Sequence, residues 1–269
     1  MMSNSPIATS TESEEIRDNG DKEIKVIELE FEILGRILRY TIEVKNKPGK
    51  LADIVPIARS ISSKIVAVVK DILCEDGQTV PCCKGCSACC YYLAPLSIPE
   101  VFRFSEELLS MPADTGKEIL ESCLGSARKI LDNMPVDSYE LSCLSNWYAG
   151  LKLACPFLSD GFCMIYKNRP TACRENIVTG SAQMCKIEGQ NGKQAIKMPV
   201  SITEALARLA AELEQSSVEA VMLPLALPWA EENRHRGDQT WPAPLIVEKF
   251  VNILKEMASK SSVAVVAPA

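Results

Sequence analysis

The sequence predicts an α+β fold, predominantly α-helical, in which an N-terminal β-hairpin and a set of amphipathic helices surround irregular cysteine-rich loops. Three observations predict it. Residues 23–45 alternate between apolar and polar side chains around a single glycine. Most later segments repeat apolar residues at helical spacing. Nine of the twelve cysteines fall in two stretches that have neither period: Cys82, Cys83, Cys86, Cys89 and Cys90, then Cys155, Cys163, Cys173 and Cys185.

Residues 1–22 are polar and acidic with almost no apolar content, so they read as a disordered tail. The hairpin follows. Ile27, Leu29, Phe31 and Ile33 share one face, with Glu28, Glu30 and Glu32 opposite, and Leu38, Tyr40, Ile42 and Val44 repeat the pattern after Gly35-Arg36. Asn46-Lys47-Pro48-Gly49 reads as a turn, its Pro-Gly pair being the central pair that a type II turn prefers. A helix then carries Leu51, Ile54, Val55, Ala58, Ile61, Ile65, Val69 and Ile72, with Asp53 as its N-cap, Pro56 in its first turn and Gly77 at its end.

After the first cysteine loop, Ser97-Ile98-Pro99-Glu100 is a capping box that opens a helix through Leu109. Thr115 to Glu118 reads as a second box, followed by a stripe that includes Cys123, a small buried hydrophobe. A weaker helix is expected over about 139–152. The stretch 155–197 reads as irregular. Ser201 to Glu204 is a third box before Leu206, Leu209 and Leu213; Pro224 and Pro228 break the chain ahead of a polar loop, 231–240, and Pro244 starts a last helix through Met257. The expected organisation is a tail at 1–22, one globular domain at 23–260 with its cysteine-cluster core at about 74–190, and a short tail at 261–269.

Composition bounds the function. The chain has 269 residues, 47% hydrophobic and 24% charged, enough to bury a sizeable core. A net charge of −6 and a pI near 5.1 argue against general nucleic-acid binding. Neither a secretory signal nor a membrane span is expected, because no positively charged start precedes an apolar region and Arg59, Lys64 and Lys70 interrupt the most apolar helix. A cytoplasmic location keeps thiols reduced. Clustered cysteines then point to a metal or to catalysis rather than to disulfides.

Thiolates hold zinc and iron–sulfur clusters, and a two-residue spacing aims two sulfurs at one centre. Cys83-x-x-Cys86-x-x-Cys89 offers three sulfurs like the start of a cubane loop, a possible 4Fe-4S ligand set whose fourth member, a Cys followed by Pro, is available at Cys155-Pro156. A tetrahedral zinc site built from two cysteines of each stretch competes with it. The one histidine, His235, reads as a solvated loop residue, so any centre is essentially all-sulfur. Adjacent side chains on extended backbone point apart. Cys82 with Cys83, and Cys89 with Cys90, therefore imply either a second centre or spare thiols. Lys167, Arg169, Arg174 and Lys186 outnumber the acids around the second stretch, which suits a negatively charged centre as well as an ordinary surface.

Cys83-x-x-Cys86-x-x-Cys89-Cys90, with Cys155-Pro156-Phe157-Leu158, Gly161-x-Cys163-x-Ile165-Tyr166 and Arg169-Pro170-x-x-Cys173-Arg174, resembles the YkgJ-type cysteine-cluster family. That family is described as zinc- or iron-chelating, and a similar domain occurs in flagellin lysine methylases. The resemblance covers about 82–177. It implies Cys83, Cys86, Cys89, Cys90, Cys155, Cys163 and Cys173 as metal ligands, and Arg169 and Arg174 as cofactor-binding or supporting residues. Glu175-Asn176-Ile177 departs from the aromatic-proline pair expected there, and Cys82 and Cys185 lie outside the core motif. Cys74 and Cys143 read as helical thiols without a ligand role.

Three functions compete at this stage. The first is a metal-binding protein with an iron–sulfur cluster or zinc in a structural or redox role. The second is an enzyme such as a protein lysine methyltransferase, although no nucleotide-binding glycine signature is present. The third, ranked last, is a thiol redox protein, which lacks the expected βαβ setting.

Overall fold

The computed structural model describes residues 24–135, 141–185 and 194–261. Two ten-residue strands, β1 (Ile24–Ile33) and β2 (Arg36–Lys45), pair antiparallel with Ile27 opposite Ile42 and Phe31 opposite Leu38. Period-two alternation decides which face is wet. Ile27, Leu29, Phe31 and Ile33 are buried against α9 (Ala243–Ser261), while Glu28, Glu30 and Glu32 face solvent.

The hairpin turns through Leu34 at φ 48° and Gly35 at φ 78°. Two consecutive left-handed residues make this a primed turn, the kind whose twist matches the strands. Gly35 takes the conformation freely, whereas leucine does so at a cost of about 1 kcal/mol. Leu34→Asn is therefore expected to raise the thermal midpoint by about 2–4 °C, measured by circular dichroism. A lower midpoint would refute the assignment.

Pro48–Gly49 (β3) bridges Trp241–Pro242 (β10). The type II turn expected here is absent, because Gly49 lacks the positive φ it requires; a Cβ at Gly49 would stand 3.2 Å from that of Ala243, so this glycine serves close packing onto α9. A 3₁₀ turn, Leu51–Ile54, leads into α1 (Val55–Glu75). Asp53 accepts from the Lys50 amide at 2.8 Å, so it closes that turn instead of capping α1 directly. Pro56 sits in the first turn of α1, where its missing N–H leaves no bond unmade.

Residues 76–94 have no regular structure beyond a 3₁₀ turn at Ala88–Tyr91. Strand β4 (Pro95–Ser97) pairs with β9 (Ala220–Met222), and α2 (Ile98–Leu109) starts from the expected Ser97/Glu100 capping box. Helix α3 (Ala113–Asp132) begins earlier than the sequence suggests. Thr115 lies inside it, because Pro112 takes the cap position and accepts from the Gly116 amide. Helix α4 (Leu141–Gly150) follows, its expected start at 139 lying outside the described residues.

Short pairs β5 (Leu158–Ser159) with β6 (Phe162–Cys163), and β7 (Val178–Thr179) with β8 (Gln194–Ala195), flank α5 (Thr171–Glu175). The Asp160-Gly161 turn of β5–β6 has φ 49° and 80°, a second primed hairpin in the region expected to be irregular. Then come α6 (Ile202–Glu214), α7 (Ala226–Glu232) and α8 (Arg234–Gly237). Pro228 enters the first turn of α7 instead of breaking the chain, and part of the expected polar loop is helical.

One contiguous apolar cluster joins the hairpin, α1, α2, α6, α7 and α9. Leu206, Leu209, Ile246 and Phe250 are each at most 2% exposed at its centre, and Cys123 of α3 is fully buried, as expected. A buried ion pair, Arg59 to Glu107 at 2.6 Å, ties α1 to α2. No helix among the described residues is long and apolar enough to cross a membrane. Ser261, expected to open the C-terminal tail, ends α9, and residues 1–23 and 262–269 lie outside the described residues. Built this way, the scaffold leaves two poorly regular stretches, 76–94 and 151–185, facing each other over the α1–α5 contact.

Candidate metal centre

The first cysteine loop is a chain of tight turns. The Cys86 amide donates to the Cys83 carbonyl at 3.1 Å, Cys90 to Ser87 at 3.0 Å, and Tyr92 to Cys89 at 3.1 Å. The Cys155 amide then donates to the Cys90 carbonyl at 2.6 Å, which fastens the second stretch to the first. Gly85 suits this junction because its φ is 92°, and it packs beside the Phe162 ring of the β5–β6 hairpin.

Two buried carboxylates place Cys173. Glu100 is 1% exposed, and its Oε2 accepts from the Ser97 hydroxyl at 2.9 Å while its Oε1 accepts from the Thr171 amide at 2.7 Å and hydroxyl at 2.9 Å. It therefore joins the start of α2 to the start of α5. Glu175, at the other end of α5, accepts from the Ile202 amide at 2.8 Å and the Ser201 hydroxyl at 3.0 Å, joining α5 to α6. Burial pushes its carboxyl up to about 7 against these bonds. Cys173 lies between the two clamps on one short helical segment.

The sulfurs line two adjoining cavities. The first, of about 70 Å³, is lined by Cys82, Cys83, Cys86, Cys89, Cys173 and Cys185. The second, of about 60 Å³, is lined by Cys86, Cys89, Cys90, Cys155, Cys163 and Cys173. All seven cysteines expected as ligands are thus brought together, and Cys82 and Cys185 join them from outside the motif. The loop that carries Cys185 is held by the Tyr92 hydroxyl, which donates to the Cys185 carbonyl at 2.7 Å. Cys74 is exposed on α1 and lines neither cavity; the side chain of Cys143 lies outside the described residues, and His235 is exposed on α8.

Burial raises the pKa of Cys82, Cys155, Cys163 and Cys173. Burial pushes Cys155 up to about 12, with the neighbouring Cys163 and Cys89 adding to it. Cys173 is raised further by burial and the same neighbours, and Cys90 by its hydrogen bond to Cys89 and then by burial. Backbone amides oppose the trend at three sulfurs: Phe157 at Cys155, Ile165 at Cys163 and Val178 at Cys82. Amides aimed at sulfur favour the thiolate, the form that ligates metal.

Arg169 and Arg174 take different parts. Arg169 lines both cavities, stacks on Tyr166 at 4.4 Å, opposes the rise at Cys163, and has a buried Nε without a hydrogen-bond partner. Arg174 donates to the Arg169 carbonyl at 3.0 Å, the Lys167 carbonyl and the Ser63 hydroxyl at 2.8 Å, so it braces the turn that presents Arg169. Burial and the nearby Arg169 lower Arg174 to about 10.

Among the described residues, no three Cys, His, Asp or Glu side chains form a group that could hold a metal ion as they lie. The donor chemistry nevertheless fits a thiolate-bound centre. The lining donors are soft sulfurs, their amides favour thiolates, and the orphaned Arg169 N–H suits a negatively charged neighbour. Ligation therefore requires the thiols to lose protons and turn inward from the cavity walls.

Glu100, Glu175, Cys82 and Cys185 were not singled out as site residues in the sequence. Glu100 was legible only as half of a capping box, because its second bond runs to a residue 71 positions away. Asp160-Gly161 was the available signal for the hairpin that carries Cys163.

Residues 82–195 match the model of the CxxCxxCC family, described as "Putative zinc- or iron-chelating domain". No curated protein and no solved structure matches the chain.

Proposed function

We propose that this is a cytoplasmic metal-binding protein whose all-thiolate site holds an iron–sulfur cluster or zinc, and that the bound centre staples the two cysteine stretches onto the helical scaffold. The observation that carries the reading is the gathering of nine cysteines from two distant stretches around two small cavities, with the unpartnered Nε of Arg169 at their common edge. Residues 76–94 and 151–170 have few regular elements of their own, so thiolate–metal bonds supply the order that packing does not. Cys83, Cys86, Cys89, Cys90, Cys155, Cys163 and Cys173 furnish the ligands, Arg169 balances charge, and Arg174 orients Arg169.

When bound, the metal itself supplies the counter-charge that replaces the thiol protons.

Full-length protein purified without oxygen is expected to carry iron with acid-labile sulfide and visible absorbance, or zinc without colour. Return of zinc to the apoprotein at pH 7 should release about one proton per ligating thiol, measured by pH-indicator titration, and return of iron with sulfide should release the protons of the sulfide in addition. Metal-free protein after anaerobic purification, with no proton release on adding iron and sulfide or zinc, would refute the proposal.

A further inference from the structure

We infer that the chain holds two metal centres side by side, the second of them walled by Cys82, Cys83 and Cys185 and sharing Cys86, Cys89 and Cys173 with the first. This rests on the metal-binding reading above and extends it.

The partition of the thiols carries the inference. Cys82, Cys83 and Cys185 line only the first cavity; Cys90, Cys155 and Cys163 line only the second. Three further cysteines, Cys86, Cys89 and Cys173, line both, as do Tyr92, Tyr166 and Arg169. A tetrahedral zinc site or a cubane uses four protein thiolates. One centre would leave more than half of these nine gathered in one place without a task. Each cavity is lined by six cysteines, enough for its own centre once their thiols turn inward, with three of the six shared.

Cys82 has the equipment of a ligand in its own right. The Val178 amide donates a hydrogen bond to it, as the Phe157 amide does to Cys155 and the Ile165 amide to Cys163. Its carbonyl is fixed by the Lys70 ammonium at 2.7 Å. Lys70, Arg169 and Arg174 all line the first cavity, which places positive charge where a centre ligated by thiolates is anionic. Cys185 is 6% exposed and reaches that cavity from a 3₁₀ turn, Ala182–Cys185, packed on the turn that carries Cys89 and Cys90.

The test compares iron, zinc and acid-labile sulfide per chain in three full-length proteins purified without oxygen. They are the wild type, Cys82→Ser/Cys83→Ser/Cys185→Ser, and Cys90→Ser/Cys155→Ser/Cys163→Ser. Each triple variant is expected to keep about half of the wild-type metal, with complementary absorbance or cobalt-substituted spectra that sum to that of the wild type. Full metal in the Cys82/Cys83/Cys185 variant overturns the second centre while leaving the first reading intact. Complete loss in either triple variant, with wild-type helical circular dichroism, shows a single common centre and also overturns it. Where a triple variant fails to fold, the single variants Cys82→Ser and Cys185→Ser decide: each should lower the metal content toward half, and full content in both overturns the inference. A wild type without metal overturns the parent reading and this one together.

Discussion

The double variant Cys86→Ser/Cys173→Ser is expected to retain at most roughly a tenth of the wild-type metal, measured by elemental analysis after anaerobic purification. Both residues line the two cavities at once, so their loss removes sulfur from whatever either cavity holds. They also come from different stretches. Cys86 belongs to the loop after α1, and Cys173 sits on α5 between the Glu100 and Glu175 clamps. A hydroxyl in place of each thiol keeps the volume nearly constant but removes the soft donor, so the loss reads ligation rather than packing. Cys74→Ser is the control, because Cys74 is exposed and lines neither cavity; its metal content should match the wild type. Wild-type metal in the double variant would mean that the gathered thiols are not the ligands.

Glu100→Ala is expected to cost about 3 kcal/mol or more, read as a lower denaturant midpoint with an unchanged slope. The carboxylate is 1% exposed and accepts from the amide and hydroxyl of both Ser97 and Thr171. Alanine would leave two backbone N–H groups buried without acceptors, and each such group costs about 1–3 kcal/mol. The two helix starts it joins would lose their common anchor. Because α5 carries Cys173, the same change should lower metal content even where the protein remains folded at low temperature. A midpoint within about 0.5 kcal/mol of wild type would show that the Thr171 bond contributes nothing.

Much of the architecture was readable residue by residue. Alternation around Gly35 gave the hairpin and the identity of its buried face, because a period of two admits one choice once one side must meet a core. Ser97 with Glu100 and Ser201 with Glu204 marked true helix starts. The same pattern misled at Thr115, where Pro112 offers an earlier start, and Pro228 and Pro48-Gly49 likewise admitted two local readings that only packing separates. Local chemistry offered alternatives of nearly equal energy there, and neighbours distant in sequence chose between them.

The donor chemistry was set by residues alone: thiols at two-residue spacings, one histidine, and a family resemblance over about 82–177, inside the 82–195 that match the family model. Spacing is a local property, so it specifies which atoms can ligate and how a single loop aims them. Only the tertiary structure decided how those thiols divide. Folding brings Cys82 and Cys185 to one cavity, Cys155 and Cys163 to the other, and Cys86, Cys89 and Cys173 to both. That division depends on where α5 lies, and α5 is fixed by buried carboxylates whose partners are 71 and 27 residues away. No sequence period records such bonds, because they form only when distant segments share a core that excludes water.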